Sequence, residues 1–416
     1  MSNVTLSFKN VNSDLVTILL IAFLPVSLLM GSGVINTTVI LIDIIFLVSL
    51  ALNKNFDYLN HKIFYALLIF WISLLINALF SINFENSAFR SFGFVRFIIL
   101  IFAIKYHMSL KNGFYQKIIF GVWFLIFLIV SVDLLFEFFF GFNTLGFNND
   151  MYGRLSGFLN KELKIGNYYF GFILISISFV HYQFKNNSLF YICFLIFFIV
   201  SFLIGERANF IKVFFIGTLF YLFVDDKFIY RKILIFISLI CFFVSMISFN
   251  NHYKDRFYTQ IFKTSGDKFS LTSYLKKSPY GAHYDAAMQI FKKNSLFGVG
   301  LKNFRVESPK PEYLNEDYIF WNRRASTHPH QVHLELLSET GIFGYSSFLI
   351  LIIYFLFISI NYQLINKNLY HLSSILFLFA SLLPLIPTGS FFTSYGATIF
   401  WINFAIIESF NNKGFK

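Results

Sequence analysis

Apolar runs of about 20 residues, separated by short polar turns, recur along nearly all of this 416-residue chain. About 20 residues of helix are what a bilayer core takes to cross. Lipid offers no partner to an open backbone amide, so regular helix is the economical way for such runs to be housed. The composition agrees: 57% of the residues are hydrophobic and 13% charged, where a soluble domain keeps about a quarter charged. The fold class expected is therefore an all-α polytopic membrane protein. Twelve spans are expected, at 14–30, 34–52, 63–83, 91–107, 116–140, 165–184, 188–204, 208–224, 232–249, 341–361, 369–387 and 391–409. Pro25, Pro384 and Pro387 fall inside them, which membrane helices tolerate. Cys193 and Cys241 lie in apolar runs and read as small hydrophobes, not as a disulfide framework.

Twelve spans put both termini on one side. With the termini in the cytoplasm, inner segments carry thirteen Lys or Arg and the short outer loops five, the asymmetry the positive-inside rule favours. The expected organisation is nine spans over 1–249, one outer loop over 250–340, and three spans with a short cytoplasmic tail over 341–416. The loop is too long for a mere connection, and it holds thirteen further Lys or Arg. Long loops cross regardless of charge. A basic outer loop points to an anionic partner such as a phosphate or pyrophosphate head group; a solvated, charge-rich loop is the alternative.

The most titratable stretch stands directly before the tenth span: STHPHQVHLELLSETGIFG, residues 326–344. Pro329 suits the first turn of a helix, where a missing N–H costs nothing. His328 would then be the cap and His330 would lie within the first turn. His330, His333, Leu334 and Leu337 share a face at this spacing, and Gly341 either closes the short helix or allows close packing. The positive end of the helix dipole keeps an imidazole there neutral, able to take a proton near pH 7. One such ring is ordinarily a surface histidine bonded to a carbonyl; H-P-H-x-x-H at a membrane mouth points to function. His328, His330 and His333 could supply three nitrogens to a metal, but no H-E-x-x-H or cysteine pair accompanies them, so a metal is not expected.

Three other stretches stand out. GERANF, 205–210, sets Arg207 at the outer membrane face, where an arginine is costly unless paired or functional. Its fork suits phosphate; snorkelling or a pair with Glu206 is the alternative. In HYDAAMQIFKKNSLFGVGLKNFR, 283–305, Tyr284, Ala287, Met288 and Phe291 follow helical spacing, as an amphipathic helix in the interface would. Gly298 and Gly300 then form a turn that presents Lys302 and Arg305 and turns N–H groups toward an anion. RLSGFLNKELKIGNYY, 154–169, brings Arg154, Lys161, Glu162 and Lys164 toward one face, with Glu162 as an ion-pair partner. Asp43, Asp133 and Glu137 lie in or near spans, where carboxylates are functional candidates by default; Glu137 ends a span long enough to reach the surface.

Taken together these stretches resemble the O-antigen ligase and O-antigen polymerase superfamily of bacterial envelope glycosyltransferases. The likeness rests on about twelve spans, a large outer loop before the tenth, Arg207 in GERANF, FGVGLKNF at 297–304 and HPHQ at 328–331. It covers nearly the whole chain. The resemblance implies a metal-independent, inverting glycosyl transfer, with no cofactor, at the periplasmic face of the bacterial inner membrane. The donor would be a glycan on undecaprenyl pyrophosphate, its tail between helices in the lipid bilayer. The acceptor would be a sugar of lipid A–core for a ligase, or another lipid-linked repeat for a polymerase. By position His330 matches the family's histidine, base for the acceptor hydroxyl, and Arg207 the helix-end arginine on the pyrophosphate. His283 stands near the place of the family's second arginine, so Arg305, Lys302 and Arg256 are the candidates to replace it. Arg154 and His328 complete the expected substrate contacts, and Gln331 stands where asparagine is commoner. No nucleic-acid partner is expected.

The chemistry of the residues agrees. Pyrophosphate is a good leaving group, so charge stabilisation and one base suffice; a glycosidase-like carboxylate pair is needed only for a poorer one. The whole pattern leans to a ligase. A lipid-linked oligosaccharide flippase or other transporter would need a polar central cavity and usually two similar halves, and no halves repeat. Convergence of Arg207, His330 and the 298–305 turn on one cavity would favour the enzyme; dispersal would favour the transporter or a scaffold.

Overall fold

The computed structural model describes residues 4–148, 153–160, 162–184, 187–224, 229–263 and 270–411. Among these the chain is helix and connection, with no β-strand. The first half holds α1 (Val4–Met30), α2 (Ser32–Leu52), α3 (Lys62–Leu79), α4 (Phe84–Gly93), α5 (Val95–Ser109) and α6 (Phe114–Phe140). Then come α7 (Ile165–Phe184), α8 (Asn187–Leu203), α9 (Arg207–Phe223) and α10 (Ile229–Phe249). The loop contributes α11 (Asn251–Lys254), a π-helical turn (Asp255–Lys263), α12 (Leu271–Lys276), α13 (Pro279–Lys293) and α14 (Phe304–Glu307). The chain closes with α15 (Val332–Asn366), α16 (Leu369–Ser381) and α17 (Ser394–Asn411).

A helix occupies each of the twelve apolar stretches. Among the described residues, six segments are long and apolar enough to cross a bilayer: Ser32–Leu52, Lys62–Leu79, Phe84–Ser109, Phe114–Phe140, Tyr230–Phe249 and Val332–Asn366. α10 turns Ile233, Leu234, Ile237, Ile240 and Val244 outward as one continuous stripe. Apolar faces of that extent on several helices suit lipid, not water, and the chain is a multi-pass membrane protein. α17 is the opposite case. It is buried around nearly its whole circumference, packed against α2, α5, α7, α15 and α16, as a helix apolar on all sides must be. Its Glu408 meets Lys105 Nζ at 2.7 Å, so the acid is not left alone inside.

Several sequence expectations change at this level. The eleventh apolar stretch does not stay helical to 387: α16 stops at Ser381, and Pro384 and Pro387 lie in an irregular 382–393 segment. Prolines cannot donate to the ladder, and here they end it, whereas Pro25 sits inside α1. The fourth span is two helices, α4 and α5, meeting at Phe94. α13 turns part of its apolar face into the loop itself. Its Ala286, Ala287 and Ile290 pack with Val299, Phe304 and Tyr313 into a small core belonging to the loop, while Met288 is turned outward.

The intramembrane carboxylates hold chain connections. Asp133 accepts from Thr144 N and Oγ1 at 2.9 and 2.6 Å. Glu137 does not reach the surface: it is buried and accepts from the backbone N–H of Ser156 and Gly157 at 3.0 and 2.7 Å. Asp43 is buried too. These bonds fasten the segment before α7 to the end of α6.

α15 begins before the expected boundary at 341 and turns sharply at Gly341, whose φ of 63° and ψ of −170° are open only to glycine. The break frees the carbonyls of Ser338 and Glu339. The N–H groups of Val299 and Gly300 donate to them at 3.0 and 2.8 Å. Gly298 and Gly300 therefore do not offer their turn to an anion, as the sequence suggested; it is stitched into the helix break. A Cβ on Gly298 would run into the Glu339 backbone, and one on Gly341 into Leu296 O.

Candidate active site

Where the loop meets the bundle lies a cavity of about 630 Å3. Arg154, Lys164, Arg207, Arg256 and Arg305 line it with His328 and His330, and among the described residues Glu206 is the one carboxylate in its wall. The 385–390 segment, Thr393, Tyr395, Tyr274 and Tyr280 complete the polar side. Arg207, His330 and the Arg305 end of the glycine turn thus converge on one chamber. Five cations facing one carboxylate make it a strong anion trap.

Local rules explain each placement. Arg207 opens α9 after Gly205, whose φ is 71°; a side chain there would collide with Gly153 O. Arg256 donates from Nε and Nη2 to Gly205 O at 3.2 and 2.9 Å, and Arg207 Nη1 donates to Arg256 O at 3.2 Å. Three chain segments are therefore tied at one point. Glu206 pairs with Arg154 at 2.8 Å, not with Arg207, and Arg207 keeps its fork in the cavity wall. Burial lowers Arg256 to about 10, with the charges of Arg207 and Arg154 adding to it. Such crowding of cations is stable once an anion shares it. Glu162 pairs with Lys164 at 2.8 Å, as expected from the sequence; Lys161 lies outside the described residues.

His330 is not in the first turn of a helix. α15 begins at Val332, and Gln331 is its N-cap, accepting from Leu334 N at 2.9 Å. His330 has φ 58°, a left-handed conformation that ends any helix reaching back to Pro329. Its backbone carbonyl accepts from Thr388 N at 2.8 Å, which locks the histidine loop to the 382–393 segment. The ring is neutral for a different reason from the helix dipole. Burial, and then the neighbouring His283, lower it to about 4. His328 falls to about 3 by burial and the proximity of His330. The ring centroids of His328 and His283 lie 4.1 and 5.1 Å from that of His330, and Tyr280 meets it edge-on at 5.9 Å.

The remaining residues divide. His283 does not line the cavity; it lies behind His330 with Nδ1 3.4 Å from Arg324 O. Lys302, at φ 64°, does not line it either. Arg305, on the short α14 just beyond, does. His333 turns away from His330: its Nε2 lies 2.7 Å from Leu382 O and its Nδ1 3.1 Å from Tyr345 Oη. The three histidines of HPHQVH are therefore not gathered around one point.

Two glutamates in the same stretch have a role that the motif reading missed. Glu335 accepts from Ser390 Oγ and, at 2.8 Å, from Phe391 N. Glu339 accepts from Phe304 N at 3.3 Å. One turn apart on α15, they fix the 385–393 wall on one side and the Arg305 turn on the other. The wall itself had a signal in the sequence: PTGS, 387–390, is turn chemistry inside an apolar run.

Residues 192–349 match the family model described as O-antigen ligase. The matched stretch contains Arg207, Arg256, Arg305, His328 and His330, and stops before the 385–393 wall. No curated protein sequence matches the chain.

Proposed function

Starting from a chain whose 192–349 region is that of the O-antigen ligase and O-antigen polymerase superfamily, we propose that it is an O-antigen ligase-like glycosyltransferase. It moves a glycan from undecaprenyl pyrophosphate to a sugar hydroxyl of lipid A–core. All twelve helical stretches cross the inner membrane, with termini in the cytoplasm and the large loop in the periplasm. The observation that carries this reading is the convergence of Arg207, Arg305, Arg154 and His330 on one cavity.

The chemistry follows from the wall. The acceptor hydroxyl attacks the anomeric carbon from the face opposite the pyrophosphate. The new C–O bond forms as the bond to the phosphate oxygen breaks, so configuration inverts. The hydroxyl proton goes to the neutral ring of His330. The leaving pyrophosphate gains charge, which Arg207 and Arg305 meet with preorganised donors. Arg256, held on Gly205 O, keeps the Arg207 turn in place.

The test is an in vitro transfer. Purified protein is incubated with undecaprenyl-pyrophosphate glycan and lipid A–core, wild type beside His330→Ala. Glycan on lipid A–core, lost in the variant, supports a ligase with His330 as base. Longer lipid-linked glycan instead makes the chain a polymerase, and no transfer to either acceptor overturns the reading.

A further inference from the structure

Behind the 390–397 wall lies a second cavity of about 500 Å3. Phe392 and Ala397 face it, whereas Thr393 and Gly396 from the same segment face the first. Its rim is apolar and turned outward: Phe89 is 80% exposed and Phe92 60%, on a segment apolar enough to cross a bilayer. Ile40 of α2 adds to that rim. Into this greasy chamber α4 and α5 set two arginines, Arg90 and Arg96, and no carboxylate among the described residues lines it.

Each guanidinium is left wanting. The Nε of both is buried with no hydrogen-bond partner among the described residues. Arg96 has a 3.3 Å bond from Nη2 to Ser394 Oγ and stacks 4.8 Å from the centre of the Phe97 ring. Asp43 of α2 attracts Arg96 through space without forming an ion pair. Arg90 feels Arg96 and Arg305 as like charges, with Glu335 and Glu339 opposing from α15. Buried donors without partners cost stability, and two arginines in lipid-facing surroundings are a functional pair by default. Arginines with a purely structural role would have acceptors for these N–H groups, as Arg256 has on Gly205 O.

An anion that carries its own apolar tail answers all of these features. We propose that this cavity binds the phosphate of a lipid that enters sideways from the bilayer, with Arg90 and Arg96 as the phosphate contacts. Naming that lipid rests on the function proposed above. A transfer between two lipid-borne partners needs a second lipid site beside the first, and the acceptor, phosphorylated lipid A, is its occupant. The wall shared by the two cavities then separates donor phosphate from acceptor phosphate.

The experiment reads binding, not turnover. Full-length protein in zwitterionic nanodiscs is titrated with fluorescent lipid A, with phosphatidylglycerol or inorganic phosphate as competitor. Wild type is compared with the double variant Arg90→Gln/Arg96→Gln and with Gly93→Leu. Gly93 lines the cavity, its φ is ordinary, and a Cβ there meets nothing within 4 Å, so the leucine fills the chamber without straining the helix. Both variants should weaken lipid A binding at least tenfold while undecaprenyl-pyrophosphate binding and the thermal midpoint stay put. Unchanged lipid A binding in both variants overturns the site. Equal competition by phosphatidylglycerol overturns the acceptor assignment, and equal competition by inorganic phosphate overturns the need for a lipid. If lipid A binds with the expected losses but no glycan is transferred, the site stands and the transferase reading falls.

Discussion

The donor should switch on its own base. Burial and His283 hold His330 at about 4, against an ordinary value of about 6.5. The difference is worth about 3 kcal/mol against the imidazolium. A ring so reluctant to hold a proton is a poor base. A pyrophosphate among Arg207, Arg154 and Arg305 changes the balance. A unit negative charge in the same cavity, at an effective dielectric of about 20, contributes on the order of 2 kcal/mol. Two such charges offset the burial and return His330 to near neutrality, where a base is both free and strong enough. Binding then takes up a proton between about pH 4 and neutrality, so donor affinity rises as pH falls through that window. The unprotonated ring does the chemistry, so kcat falls on the acid side. Initial rates from pH 4 to 9, at limiting and saturating donor, separate the two states. The acid limb of kcat/KM should lie near 4 to 5 and that of kcat two or more pH units higher. Coincident limbs near 6.5 would refute the reasoning, because the empty site would then leave His330 unperturbed.

Four further outcomes follow. His330→Ala should lower transfer by about 10²- to 10⁴-fold with the protein still inserted; full activity would remove His330 as base. Arg207→Lys should lose turnover despite the retained charge, because a point ammonium cannot reproduce a bidentate fork, and normal turnover would make the arginine structural. Gly341→Ala should cost about 1–3 kcal/mol for the backbone conformation alone, and the contact with Leu296 O adds to it; an unchanged midpoint in thermal melts would contradict the interlock. Glu339→Ala frees Phe304 N and should raise the donor KM more than it lowers kcat, with Glu339→Gln recovering part of the loss because an amide oxygen still accepts. Equal loss in kcat and KM terms for both variants would mean that the carboxylate does more than position Arg305.

Hydropathy made the apolar helices legible because their period and length are set by the lipid, which acts alike on every span. The cations were legible as single residues, since an arginine at a membrane face is rare enough to be noticed. Their grouping was not. Arg256 reaches Gly205 O and Arg207 reaches Arg256 O, backbone contacts that leave no spacing in the sequence. His330 shows the same limit from the other side. The helix expected around Pro329 is a reasonable local preference, and it loses to tertiary bonds: Thr388 N on the His330 carbonyl and Gln331 as cap. Neutrality of the ring was expected from a helix dipole and comes instead from burial, so the conclusion survived a wrong cause. Arg305, Lys302 and Arg256 stood as equal candidates for the second cation; Arg305 and Arg256 reach the cavity and Lys302 does not.

The polar cluster stands before a membrane helix because one short helical segment must hold three things at fixed distances. α15 from Val332 to Gly341 carries the histidine loop at its start, Glu335 after one turn and Glu339 after another. Glu335 holds the wall between the two cavities, and Glu339 holds the turn that aims Arg305. A rigid helix is a better ruler for this than a loop. It has to stop at Gly341, because a straight continuation would leave no free carbonyls for Val299 and Gly300 to occupy, and the glycine turn would lose its anchor. The same break lets the rest of α15 enter the bilayer in its own direction. The two buried carboxylates, read alone, look like a catalytic pair. Their bonds to Phe391 N and Phe304 N make them the frame that relates the histidine loop, the Arg305 turn and the dividing wall.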